Sequence, residues 1–409
     1  MPLSSFTKRI KFNVSTAKSI ADVTGEWFLP TTLLPAGFWA DVAADGGDVR
    51  FVQIPKTVHN TPSEFYLYYG NGSISMPSVT DPEGRNACFP DVVRNDFLQD
   101  PTGSSPQLTD LSGNGLHGAA VNSPTGSADG WTFNGTNQWV DHGNVANMGT
   151  DSFVATVWFN PAADLTTATA GGRPMQKRGT GAVGSFAGWA LIVYRSGTTL
   201  IIGNAVVDGG SGGGGLASGI INLGAGTIGV DGIIHMHVNR NGNLIVYYNG
   251  VQVYANSLAA VTGSLNNTRK LTHGASDVAL SQFYKGLIKH SYISTNLKSA
   301  GGYQVEANNK LDPATFWEID TVETGTYDLT SETLLPFYVA EDFDTGAEEG
   351  TIWFRAQLDV VFPTAGFEGF TFAYENRQYI EPAIQGFKGF TVSTPYEGEI
   401  EIVKRRYRG

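Results

Sequence analysis

The chain has a single cysteine, Cys88, among 409 residues. One cysteine excludes an intrachain disulfide, a redox pair and cysteine-rich zinc ligation. Charge is scarce too: 16% of residues are Asp, Glu, Lys or Arg, against about 25% in an average soluble chain. The formal net charge is −12. A nucleic-acid surface needs clustered Lys and Arg, and only Lys404, Arg405, Arg406 and Arg408 at the end form a cluster. No nucleic-acid partner is therefore expected. No apolar run reaches the roughly 18–20 residues of a membrane-spanning helix, so no membrane insertion is expected. The start, "MPLSSFTKRIKFNV", has no apolar core of signal-peptide length. A chain made in the cytosol and not exported by the usual route is the expectation. Helix signals are sparse as well: only "STAKSIADV" and "LKSAGGYQVEANN" qualify, and both are short.

Glycine and strand formers fill the space. There are 51 glycines, dispersed among Val, Ile, Thr, Tyr, Phe and Trp, a mixture that reads as many short strands joined by tight turns. "KRIKFNV" alternates charged and apolar positions, as a half-buried strand does. "FYLYYGNG", "FVATVWFNP" and "WALIVYRSG" are aromatic or bulky strands. In "HMHVNRNGNLIVYYNGVQVYA", 235–255, two alternating runs flank Asn241-Gly242, and Asn249-Gly250 follows. Asn-Gly supplies the positive φ angles of a two-residue hairpin, so a three-strand meander is expected. The glycine-rich stretch 207–219 reads as a long loop inside one domain. From 321 the chain becomes richer in Glu and Phe. "GFEGFT" at 366–371 returns as "GFKGFT" at 386–391, a 20-residue period that suits two successive hairpin arms.

At "FWADVAADGGDVRFVQ", 38–53, and "FYLYYGNG", 65–72, the sequence resembles the DUF2341 family of β-rich modules, with the stretch between the two motifs shortened. "FLQDPTGSSPQLTDLSGNGLHGAAV" is similar to the connection from such a module into a laminin-G-like, concanavalin-A-like domain. "GWTFNGTNQWVDHG", "SFVATVWFNP", "GWALIVY", "NLIVYYNGVQV" and "FYKGLIKHSYIST" follow that domain's strand order, and "YQVEANNKLDPATFW" matches the tail that closes such pairings. The resemblance spans 35–320 and implies an all-β chain of three domains. These are a reduced DUF2341-like module at 1–95, a concanavalin-A-like jelly-roll sandwich at 96–320 and a C-terminal β-domain at 321–409. Residues 108–320 are expected to fold alone, with Trp158 and Trp189 buried.

Few groups could carry chemistry. In "LTDLSGNGLHGAAV", turn chemistry explains Asp110, Asn114 and the glycines. The competing reading makes Asp110 and Asn114 oxygen ligands of a Ca²⁺ ion on the sandwich rim. "EIDTVE" fits the E-x-D-x-x-E pattern of laminarinase-type glycoside hydrolases, in which two carboxylates act as nucleophile and acid/base. Here Glu318, Asp320 and Glu323 follow a sandwich that is already complete, so solvent-facing acids on a boundary strand are expected and no catalytic residue is assigned. His235 and His237 share a strand face without an evident third metal ligand, and packed or rim histidines are expected. Trp139, Asp141, Tyr248 and Tyr254 are the candidates for a sugar-binding face, since aromatic rings cover the apolar side of pyranoses and neighbouring acids bind hydroxyls. No cofactor is expected.

The functional expectation is a non-enzymatic structural protein on a bacteriophage virion, a capsid decoration or a tail- or fibre-associated protein. Such a protein is made in the host cytoplasm and needs neither a signal peptide nor disulfides. Its partners are other virion proteins, copies of itself and cell-surface glycans. A bacterial surface carbohydrate-binding or adhesion protein is the alternative, and a glycoside hydrolase the third.

Overall fold

The computed structural model describes residues 3–15, 23–35, 38–42, 48–54, 64–97, 105–127, 129–168, 171–178, 187–208, 215–277, 282–332, 334–340, 351–358, 371–373 and 391–393. The chain is all-β, built from antiparallel sheets, and divides into a unit spanning Met1–Val361 and a smaller one spanning Phe362–Gly409.

The centre of the larger unit is a two-layer sandwich. One layer is an eight-stranded sheet running Val251–Ser257, Asn243–Tyr248, Gly232–Val238, Phe153–Pro161, Lys285–Ser294, Gly130–Asn134 and Thr125–Ser127, with Val92–Phe97 also pairing to Lys285–Ser294. The other runs Leu216–Ala225, Thr199–Val207, Gly188–Ser196, Gly172–Arg178, Thr272–His273, Trp139–Asp141 and Ala119–Val121. Alternation along these strands turns Trp131, Phe133, Phe153, Val157, Trp189, Leu191, Ile202, Met236, Leu244 and Ile288 into one buried core between the sheets. The meander forms as expected. Asn249 (φ 51) and Gly250 (φ 79) take the left-handed angles of its second turn. Neither Asn241 nor Gly242 does so. The first turn is instead closed by bonds between Asn239 and Asn243 and from Gly242 to Asn239, which leaves room for a wider loop.

Beside the sandwich lies a base. Its main sheet runs Trp317–Ile319, Ser4–Val14, Glu64–Tyr69, Arg50–Ile54 and Leu334–Leu335, and Glu323–Asp328 also pairs with Ser4–Val14. Val23–Pro30, Thr351–Leu358 and Phe337–Ala340 make a second, three-stranded sheet. The base core joins Phe12, Trp27, Phe51, Phe65, Leu67 and Tyr69 to Phe316 and Trp317. Two expected boundaries are thereby corrected. The C-terminal domain does not start at 321, because residues 317–358 supply strands that the first 70 residues need for neighbours. The division at 95/96 cuts Val92–Phe97, a strand that belongs to the sandwich.

The helix Ala300–Leu311 joins the two parts. Ser299 caps it by accepting a bond from the Gly302 amide. Tyr303 and Ala307 pack on the outer face of the eight-stranded sheet, alongside Trp158 and Tyr292, while Val305 enters the base core. Glu306 is buried at this joint. Its carboxylate accepts from Lys298 Nζ (2.8 Å), Lys310 Nζ (2.6 Å) and Tyr292 Oη (2.9 Å). Burial alone would raise its pKa, but the two lysines hold it well below the ordinary carboxylate range.

In the smaller unit, Thr371–Ala373 and Thr391–Ser393 pair in parallel, Thr371 opposite Thr391. Of the 20-residue repeat only the last position, Thr371 and Thr391, is described, and there the two copies pair in parallel, not antiparallel as successive hairpin arms would. Its Phe367, Phe370, Phe387 and Phe390 lie outside the described residues, as does "STAKSIADV" over 16–22.

Removing one partner of a buried ion pair leaves the other charge uncompensated, so Glu306→Gln should lower unfolding free energy by about 3–5 kcal/mol in denaturant titrations. The corrected boundaries give a second expectation. A 90–312 fragment should unfold cooperatively, whereas 108–320, lacking Val92–Phe97, should show no cooperative transition by circular dichroism.

Candidate functional site

The loop that carries Asp110 is closed from within. Asp110 Oδ1 accepts from the amides of Asn95 and Ser112 (3.0 Å each) and from Ser112 Oγ (2.7 Å), and Oδ2 accepts from the Leu116 amide (3.0 Å). Asn114 turns its amide nitrogen, not its oxygen, toward the protein, donating to the carbonyls of Val92 and Val93. Both carboxylate oxygens meet protein donors, so Asp110 and Asn114 do not converge on a common point for Ca²⁺. They tie the loop to the strand Val92–Phe97.

The acidic motif sits on the base. Glu318 lies on Trp317–Ile319 opposite Asn13, and Glu318, Asp320 and Glu323 are all exposed. Glu323 is paired with Arg9 at 2.5 Å. No cleft of the sandwich includes the three, because they belong to a different sheet.

The four sugar-face candidates are not brought together. Trp139 and Asp141 lie near one end of the seven-stranded sheet. Tyr248 and Tyr254 lie at the opposite lateral edge of the sandwich, on the last two strands of the eight-stranded sheet. Trp139 is buried, with the Lys270 ammonium 5.5 Å from its ring centroid and Lys270 paired to Asp141. Tyr254 Oη donates to the Ser218 carbonyl (2.6 Å), which covers the free edge of Leu216–Ala225. Tyr248 packs against the core, while Tyr247 meets Tyr303 on the other side of the sheet, ring centroids 4.7 Å apart and tilted by 34°. His235 and His237 do share one face, beneath the helix. His237 Nδ1 is 3.0 Å from Tyr303 Oη, and His235 Nδ1 is 3.0 Å from Thr156 Oγ1.

What the fold assembles instead is a polar chain inside the sandwich. His142 Nε2 lies 2.8 Å from His273 Nδ1, and His273 Nε2 lies 2.9 Å from Ser291 Oγ. Ser291 donates to Asp96 Oδ2 at 3.3 Å. Asp96 is ion-paired with Arg94, whose Nε donates to the Leu116 carbonyl. With Asp96 ionised, one proton arrangement serves every link: His273 donates through Nε2 to Ser291 and accepts at Nδ1 from His142. The residues come from three strands and the position after a fourth, Trp139–Asp141, and lie up to 197 positions apart. Alternation could have placed each on an inner face. Nothing in the sequence links them.

The connectivity of serine, histidine and histidine is that of an activated nucleophile. Here Ser291 and His273 are fully buried, so the hydroxyl has no path to a substrate. Asp96, His142 and His273 also offer three ligand atoms within 4.8 Å of one another, a donor set that suits a transition metal. Arg94 already supplies the positive charge that Asp96 requires, and the two imidazoles bond to each other.

No family model matches the chain, and no curated protein matches it. Among solved structures, the botulinum neurotoxin serotype D binding domain aligns at 12% identity with a TM-score of 0.42, covering 54% of this chain and 51% of that one. The serotype D ligand binding domain in complex with N-acetylneuraminic acid aligns at 14% and 0.42, covering 56% and 53%. The binding domain of Paraclostridial Mosquitocidal Protein 1 aligns at 13% and 0.40, covering 55% and 53%. The chain spans about half the length of each of these structures.

Burial governs the titration of the interior. It pushes His142, His273 and His290 well below the ordinary imidazole value and His235 down to about 3, and it lowers His237. Each depressed histidine makes the unfolded chain the better proton acceptor below about pH 6.5, so stability falls on acidification. Asp96 acts oppositely. Burial pushes it up to about 7 against the pull of Arg94, so its contribution is complete below its unfolded value and is lost as pH rises through about 7. Five histidines outweigh one carboxyl, and unfolding free energy should decrease from pH 7 to pH 4. His235→Gln should flatten that decline and Asp96→Asn should steepen it, as read by denaturant titration at each pH.

Proposed function

We propose that this chain is a non-catalytic structural protein on the surface of a bacteriophage virion, with a sandwich that binds cell-surface glycans. The observation that carries the reading is the difference between the two outer faces of the sandwich. The face of the eight-stranded sheet is fastened to the base through Tyr303, Glu306 and Lys310. The face of the seven-stranded sheet meets neither the opposing sheet nor that helix. It presents Leu216 and Ile220, 55% and 71% exposed, together with the Asp141–Lys270 pair over Trp139. A module fixed on one side, with apolar and charged side chains on the other, is suited to projecting from an assembly and recognising a surface. The carboxylates of "EIDTVE" lie outside this module, and the buried Ser291 is screened from substrate, which favours binding over turnover.

Purified protein should bind members of a glycan array and release no sugar from laminarin, and Glu318→Gln should change neither result. Laminarin turnover that disappears in Glu318→Gln would replace this reading with hydrolysis. Antibody against the chain should label intact phage particles from the source culture; label confined to the bacterial envelope would favour a bacterial adhesion protein instead.

A further inference from the structure

The strand Gly172–Arg178 carries a bulge. Gly172 pairs with Val193 and Met175 with Leu191, so Arg173 and Pro174 together oppose the single residue Ile192. Such an extra residue re-aims a side chain. Met175 and Leu191 face the core, which puts Ile192, and with it the bulge, on the outer face of the seven-stranded sheet. Gln176 and Arg178, alternating with Met175 and Lys177, share that face.

Arg173 is 8% exposed, and its Nε and Nη1 have no hydrogen-bond partner. Among the described residues no carboxylate pairs with it. The nearest charge that acts on it is of the same sign: burial, and then Arg178, push the Arg173 guanidinium down to about 10. Between the two arginines, Gln176 is buried and donates to Ser276 Oγ at 3.2 Å. A guanidinium withdrawn from water, with Nε and Nη1 unbonded and the field of a like charge on it, is costly. An oxyanion would supply both the missing charge and the missing acceptors at Arg173, since the guanidinium fork matches a carboxylate with two parallel bonds.

We propose that Arg173, with Arg178 beside it, forms an oxyanion subsite on the outer face of the seven-stranded sheet, and that the group it takes is the carboxylate of an acidic sugar. The sugar rests on the glycan-binding reading above; the charge rests on Arg173. The full chain is titrated with methyl glucuronide, with the neutral methyl glucoside and with sodium sulfate, each followed by calorimetry and by thermal unfolding. Glucuronide should bind at least tenfold more tightly than glucoside and raise Tm. Arg173→Met should raise the Tm of the ligand-free protein and erase the preference, and Arg173→Lys should restore only part of it. A structural role for Arg173 predicts the reverse, a lower ligand-free Tm in Arg173→Met with the response to glucuronide intact, and that result would overturn the subsite. Equal binding of glucuronide and glucoside overturns it while leaving glycan binding in place. A rise in Tm with sulfate alone, lost in Arg173→Met, keeps the oxyanion subsite and removes the sugar, so the glycan reading fails separately.

Discussion

One buried carboxylate governs how the larger unit holds together. Glu306 sits where the sandwich meets the base, and a charge in that position is tolerable only because Lys298, Lys310 and Tyr292 all donate to it. Lys310 and Glu306 are one helical turn apart, so the helix sets half of the geometry and the strand Lys285–Ser294, through Tyr292, sets the rest. Because these partners come from both the helix and the sheet, the carboxylate specifies how the helix lies on the sandwich. The helix carries Val305 into the base core and leads on to Phe316 and Trp317. The placement of the base therefore follows from a constraint that a purely apolar joint would not impose.

The same economy of charge shapes the sandwich interior. Arg94, Asp96, Ser291, His273 and His142 form a run of polar groups among apolar neighbours, and each link supplies a partner that the next one requires. The run is not closed at every atom, since Asp96 Oδ1 and His142 Nδ1 have no hydrogen-bond partner among the described residues, and a network left open in this way is held at a cost. The run also anchors the entry loop, since Arg94 holds the Leu116 carbonyl and Asp110 gathers the amides around it. Reactive residue types are thereby committed to holding strands in register. Arg173 differs from them: among the described residues no carboxylate pairs with it, and its Nε and Nη1 have no hydrogen-bond partner.

How much of this was legible beforehand follows from the range of each interaction. The strands were readable because alternation is a local property, and so was the turn at Asn249-Gly250. "LKSAGGYQVEANN" was one of two helical candidates and became the helix Ala300–Leu311, but its short pattern carried no sign that Glu306 would be buried. The site candidates were less readable. Trp139 reads as a sugar platform from its polar neighbours, yet Lys270, more than a hundred positions away, covers it. The domain boundary at 321 follows a real change in composition, and strand pairing overrode it, because Glu323–Asp328 finds its partner in residues 4–9.

The sequence by itself determined that this is an all-β chain without disulfides, which stretches are strands, and which side chains share a face. Those properties depend on a two-residue period and on turn chemistry, both of which act between neighbours. Only the tertiary structure decided what lies against each face. It buried His235 and His237 under a helix, joined His142 to His273, placed Glu318 on the base, and left Arg173 without a counter-charge among the described residues. Periodicity tells which way a side chain points. What it meets there depends on residues hundreds of positions away, and their arrival is set by packing of the whole chain.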